Sequence, residues 1–124
     1  MPIMRELFTT QEIYLFTNPG LYFSNPVAYA SKNDRNRVIR AYVMEDPGYP
    51  YEFPDNMTAE LTFRRSDNYS DISNDIIINP DGILDIILND EITAITGDCL
   101  CNIFLVQNTD RIGIQNFILH VEDC

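Results

Sequence analysis

The chain is short of positive charge. Its 124 residues include eight lysine and arginine side chains against nineteen aspartate and glutamate side chains, for a formal net charge of −11 at neutral pH. Such a charge repels phosphate backbones and anionic lipid headgroups. The composition therefore argues against nucleic acid or a membrane surface as a partner.

Long apolar segments are missing as well. No run approaches the roughly 20 residues that a helix needs to cross a bilayer. Residues 1–6 include an acidic side chain and no apolar signal-peptide core. We therefore expect neither membrane insertion nor a signal peptide. A length of 124 residues suits one domain, and we assign residues 1–11 to an N-terminal arm and residues 12–124 to a single folded domain.

Catalytic motifs are absent from the sequence. Histidine occurs once, as His120, and nucleophilic catalysis needs a serine or cysteine with an activating base beside it. No glycine-rich phosphate loop follows a predicted strand, and no pair of carboxylates lies in a recognisable motif. The sequence predicts a protein that is not an enzyme and has no cofactor.

Cysteine is scarce and odd in number. Cys99 and Cys101 are two residues apart, and Cys124 ends the sequence. Together with His120 they have the ligand types and a spacing like those of a zinc finger. Strand parity argues against zinc, because two cysteines on the inner face of a strand pair would leave His120 on the outer face. We predict buried free thiols and no metal; Asp67, Asp71 and Asp75 likewise lack the spacing of a calcium loop.

Alternating apolar residues are abundant and predict β-strands. The pattern is clear at residues 38–44 and 58–64, and the Asn-Pro-Asp-Gly sequence at residues 79–82 is typical of a hairpin turn. Residues 83–88, 99–106 and 112–121 read as three consecutive antiparallel strands. We predict an all-β antiparallel sandwich of about seven to nine strands. The predicted core comprises Ile39, Ala41, Val43, Leu61, Phe63, Leu84, Ile86, Leu88, Ile103, Leu105, Phe117 and Leu119.

The connections between the strands differ in character. Residues 66–75 read as a polar, solvated loop, and any helix is limited to about one turn within residues 90–96. Residues 45–56 contain three prolines and are predicted to form an irregular crossover. Two roles are open for its aromatic residues Tyr49, Tyr51 and Phe53. Either Phe53 anchors the crossover in the core, or the three rings form a stacking platform for a sugar or peptide.

The supposed outer face of the last two strands is unusually apolar. If a turn near Thr109 joins these strands, Leu100 lies opposite Ile118 and Phe104 lies opposite Ile114, with Val106 beside them. A solvated face would normally carry polar side chains. A soluble monomer would not leave such a stripe bare, so it is covered either by the N-terminal arm, with its apolar residues Ile3, Leu7 and Phe8, or by another subunit. We favour another subunit.

The order of these landmarks resembles a known family. Residues 32–37, an alternating strand, the Asp-Pro-Gly turn at residues 46–48 and the crossover ending at Phe53 are similar to the opening of the phage baseplate upper protein N-terminal domain. Asp34 matches the aspartate in the polar turn of that family. The later half is similar too, from the turn at residues 81–82 to the final strand at residues 117–121.

The resemblance implies an immunoglobulin-like β-sandwich. It also implies a non-enzymatic structural part of a tailed-phage baseplate or adsorption apparatus, assembled in the bacterial cytoplasm and attached to other tail proteins, with a homo-oligomeric arrangement expected. Two other functions stay open: a small ligand- or carbohydrate-binding module that uses the aromatic crossover, and a host-directed effector such as a hydrolase inhibitor. Fold alone does not decide among these.

Overall fold

The chain folds into strands with short connections. In the computed structural model, which describes residues 11–22 and 24–123, there are eleven strands. Their bounds are β1 Gln11–Phe16, β2 Val27–Ser31, β3 Val38–Asp46, β4 Tyr49–Pro50, β5 Thr58–Arg64, β6 Ser70–Ser73, β7 Ile76–Asn79, β8 Ile83–Ile87, β9 Gly97–Gln107, β10 Asp110–Gly113 and β11 Phe117–Glu122.

The strands form two sheets packed as a sandwich. Sheet A has the order β1-β3-β8-β7, with β4 paired to β3, and sheet B has the order β2-β11-β9-β5-β6, with β10 paired to β9. The predicted all-β sandwich is confirmed. The strand count is higher than expected because β4, β6 and β10 are only two to four residues long.

Both sheets are mixed, whereas the sequence predicted antiparallel pairing throughout. The strand β1 pairs parallel with β3, and β2 pairs parallel with β11. Each is an edge strand formed by the first part of the chain. The Gln11 side chain joins these two edges, donating to the Tyr29 carbonyl and accepting from the Tyr29 amide. Apart from Gln11, which belongs to β1, the predicted arm at residues 1–11 lies outside the described residues.

The expectation of three consecutive antiparallel strands was wrong. The hairpin of β7 and β8 belongs to sheet A, whereas β9 and β11 belong to sheet B. The chain crosses between the layers at residues 88–96, where Ile92 is buried. Turns and bends form at residues 90–96 instead of the expected helical turn, and the Asn89 side chain accepts from the Ile92 amide there. The helical turn in the described chain is a 3-10 segment, Pro19–Leu21.

The core lies between the sheets and agrees with the sequence prediction. All twelve predicted core side chains are buried. The polar connector at residues 66–75 differs from the prediction, because it contains β6, which pairs with β5 at Leu61–Arg64. No helix in the described part of the chain has the length and apolar character needed to cross a bilayer.

Candidate interaction surface

The register of β9 and β11 positions the apolar outer face. Leu100 pairs with Ile118 and Cys101 with Phe117, as predicted. The short strand β10 pairs with β9 in a register shifted by one residue from the predicted one. Gly113, rather than Ile114, therefore lies opposite Phe104. Ile114 turns inward, with 4% of its surface exposed. Its predicted position on the outer face was therefore wrong.

Gln115 explains this break in register. Its side chain is buried, accepts from the Phe16 amide at 3.1 Å and donates to the Ser24 carbonyl at 2.8 Å. These bonds tie the segment between β10 and β11 to the end of β1 and to the loop before β2. A buried glutamine that bonds to two backbone groups is satisfied and needs no ligand. The sequence carried no signal for this role.

The remaining predicted residues form what we call the outer stripe of sheet B. Each is half-buried, and the set is Leu100, Phe104, Val106 and Ile118. Val27 on the edge strand β2 pairs with Ile118 and is 44% exposed. The Arg111 guanidinium carbon lies 3.6 Å from the centre of the Phe104 ring and covers it in part. Arg111 therefore shields Phe104 in part, whereas Val27, next to the stripe, is exposed to solvent.

A shallow groove adjoins the stripe. It has a volume of about 510 Å³ and is lined by Thr62, Arg64, Ile72, Leu100 and Asn102, among others. The Oδ1 atom of Asn102 is buried and has no hydrogen-bond partner among the described residues. An unpaired buried acceptor is costly.

The outer face of sheet A is organised differently. Arg40 Nε donates to Asp85 Oδ1 at 2.9 Å, and the side-chain Nδ2 of Asn79 donates to the same carboxylate at 3.1 Å. The hydrogen bond to Asp85 raises the pKa of Arg40. Tyr42 donates its hydroxyl to Glu12 at 2.7 Å, which raises the pKa of Tyr42. Half-buried apolar side chains, among them Val38, Ile83 and Ile87, lie on the same face around this hydrogen-bonded centre.

The aromatic crossover does not present a flat platform. Tyr51 and Phe53 meet edge to face, with ring centres 5.5 Å apart, and both pack against the core. Tyr49 is 67% exposed. The two-residue strand β4, which contains Tyr49, was not foreseen in this segment. A role in ligand binding stays a prediction for these residues.

The cysteines and the histidine lie on opposite faces, as strand parity predicted. Cys99 and Cys101 are buried free thiols. The neighbouring Cys99 thiol and burial raise the pKa of Cys101, which keeps that thiol protonated. His120 faces outward, with Nδ1 2.7 Å from Asp98. Within residues 11–22 and 24–123, no group of three histidine, cysteine or acidic side chains could hold a metal ion, and Cys124 lies outside this part.

Comparison with known proteins identifies a shared fold. No protein-family model and no curated protein matches the sequence. A solved structure, the N-terminal domain of phage TP901-1 ORF48, matches with a TM-score of 0.68 and 14% sequence identity. The match covers 91% of this chain and 98% of that domain. At this level of identity the similarity establishes the fold, and the predicted family membership stays a prediction.

Proposed function

We propose that the protein is a non-enzymatic structural component of a tailed-phage baseplate or tail adsorption apparatus, and that the outer face of sheet B attaches it to other tail proteins. The observation that carries the proposal is the outer stripe, on a fold that matches nearly the whole of a phage domain. The stripe supports the proposed attachment to other proteins. The fold similarity supports a phage tail as the assembly in which this attachment takes place.

The stripe has the properties of an attachment surface. Val27, Ile118 and Leu100 lie side by side across β2, β11 and β9. Protein interfaces have an apolar centre and a polar rim, and a stable one covers about 800 Å² on each partner. Arg64 lies opposite Leu100, and Asp98, in contact with His120, lies two residues before Leu100 on β9; both place charge beside this row. A partner that covers the row also removes the stripe from water.

Within an assembled tail, we expect several copies of the chain, assembled in the bacterial cytoplasm before the virion is released. If the stripe mediates contacts between copies, static light scattering will give the parent a mass above that of a monomer. Leu100→Asp will lower this mass while the far-ultraviolet circular dichroism spectrum is retained. A folded Leu100→Asp variant with the parent's oligomeric mass would exclude the stripe as the self-association surface.

Purified particles test the phage role itself. We expect mass spectrometry to find the chain in tailed particles from a culture that carries the gene in its natural setting. Antibody labelling in electron micrographs will place it at the end of the tail. The gene will lie among tail and fibre genes. A chain that is absent from purified particles, yet abundant and soluble in the same lysate, would contradict the proposed function.

A further inference from the structure

A second, partly apolar surface lies along one side of the sandwich, between β5 and β7. Two open cavities of about 680 Å³ and 420 Å³ share Met57 and Ile78 in their linings. We call them together the side groove. Phe53 lines the first cavity and Ile76 the second, and all four side chains are only partly buried against the core. The side groove meets the outer stripe at Val106.

The groove also exposes a strand edge. The strand β5 pairs with β9 from Thr58 to Arg64, but β6 covers its other edge only from Leu61 to Arg64. No strand of the described chain pairs with that edge at residues 58–60. On the facing side, β7 is the edge strand of sheet A. An extended peptide can add main-chain hydrogen bonds to such an edge while its side chains enter the cavity.

The rim of the groove is acidic. Glu52, Asp55 and Asp81 line the larger cavity. Among the described residues, none of these carboxylates is in an ion pair, and no lysine or arginine lines either cavity. The whole chain carries a net charge of −11. The local potential therefore favours a cationic partner and disfavours a second copy of this acidic chain.

Backbone hydrogen bonds hold the rim in place. Val43 donates its amide to the Gly82 carbonyl at 2.7 Å, and Tyr51 donates to the Val43 carbonyl at 2.9 Å. The Gln107 side chain donates to the Asp55 carbonyl at 2.8 Å. A preformed rim loses little conformational freedom when a partner binds.

We propose that the side groove binds an extended segment of another protein, in which a bulky aliphatic side chain is flanked by lysine or arginine. The aliphatic side chain packs on Phe53, Met57 and Ile78, and the flanking cations pair with Glu52, Asp55 and Asp81. The segment runs along the open edge of β5. This binding involves a surface separate from most of the outer stripe and does not rest on the proposed function.

A labelled peptide tests this inference on the whole chain. The probe is a fluorescent nine-residue peptide with one central isoleucine, two lysines on each side and serines at the ends. Two matched peptides replace the isoleucine by serine or the four lysines by glutamate. Fluorescence anisotropy will show saturable binding of the first peptide, at least fivefold weaker binding of the serine peptide and none of the glutamate peptide.

Charge-matched variants identify the site. The double variant Asp55→Asn, Asp81→Asn will weaken binding of the lysine peptide about fivefold to tenfold, because each substitution removes one negative charge from the rim. Asparagine tolerates the positive φ of 66° at Asp81, and thermal melts will show that the variant is folded. The control, Asp90→Asn with Asp123→Asn, makes the same change in net charge at the opposite end of the sandwich and will leave binding unchanged. Equal weakening by both variants, equal binding of the serine peptide, or no saturable binding would overturn the proposal.

Discussion

The two outer faces of the sandwich differ, although the two inner faces are alike. Sheet A has charged and hydrogen-bonded groups at its centre, where Arg40 meets Asp85. On sheet B, Leu100 and Ile118 lie side by side, and the ion pair of Arg111 with Glu60 lies beside Phe104. Folding requires only that the inner faces be apolar. The proposed attachment surface rests on the row of Val27, Ile118 and Leu100, which folding alone does not require.

Two isoleucines make the comparison sharper. Ile72 on β6 and Ile77 on β7 are each 52% exposed on the outer face of a four-residue edge strand. Ile72 borders the groove beside Leu100 in sheet B. Ile77 pairs with the polar Asp85 in sheet A. Equal exposure in different surroundings makes these residues a matched pair for experiments.

The largest effect is expected from the inner face of sheet B. Phe63 is fully packed in the core, and Phe63→Ala should lower the free energy of unfolding by about 3–5 kcal/mol. Phe104→Ala, on the outer face, should cost less than half as much, because the Phe104 ring is only half-buried. Chemical denaturation measures both values. Similar losses for the two variants would show that the outer stripe is part of the core.

A smaller effect is expected where sheet A closes its hairpin. Gly82 has a φ of +76°, and an added Cβ would lie 2.7 Å from the Val43 carbonyl oxygen. Gly82→Ala should therefore cost about 2–3 kcal/mol from backbone strain and close contact. Gly48 has a φ of +83° with open space around it, and Gly48→Ala should cost about 1 kcal/mol. If thermal unfolding shows the same loss of stability for Gly82→Ala and Gly48→Ala, the close contact at Gly82 contributes nothing.

The polar centre of sheet A should contribute modestly. Arg40 and Asp85 are partly buried and form two hydrogen bonds. A double-mutant cycle with Arg40→Met and Asp85→Asn should give a coupling energy of about 0.5–1 kcal/mol in the free energy of unfolding. A coupling near zero would mean that the pair does not stabilise this face.

The smallest effect is expected at the margin of sheet B. The hydrogen bond from Arg65 lowers the pKa of Asp67, so its stabilising effect is present at neutral pH and lost as the pH falls through that lowered pKa. Asp67→Asn should be slightly less stable than the parent at pH 7. This difference should shrink below about pH 3.9, where aspartate in the unfolded chain becomes protonated. A difference that is constant with pH in denaturant titrations would contradict this assignment.

Most of the correct sequence predictions came from strand parity, the alternation of inward-facing and outward-facing residues along a strand. Alternation at residues 38–44 and 58–64 identified the inner faces, and the pairing of Leu100 with Ile118 followed from one turn position. The error at Ile114 arose because parity assumes an unbroken ladder, and Gln115 interrupts it. A glutamine that bonds to backbone groups far away in sequence has no local signature.

Sheet membership could not be read from the sequence. The parallel pairings of β1 and β2 join segments far apart in the chain, and periodicity reports which residues share a face without reporting which strands are neighbours. The short strand β6 was missed for a related reason, since its composition is polar and only Ile72 suggests a strand. The side groove was also invisible, because it depends on β6 covering only part of β5.

Incorporation into tailed particles tests the central claim most directly. Particles are prepared in the presence of equal amounts of parent, Ile72→Asp and Ile77→Asp chains, and mass spectrometry compares the amount of each chain in the purified particles. If the outer face of sheet B is the attachment surface, Ile77→Asp will be incorporated as well as the parent, and Ile72→Asp at least tenfold less, with all three folded by circular dichroism. Equal incorporation of both variants, or selective loss of Ile77→Asp, would contradict the account.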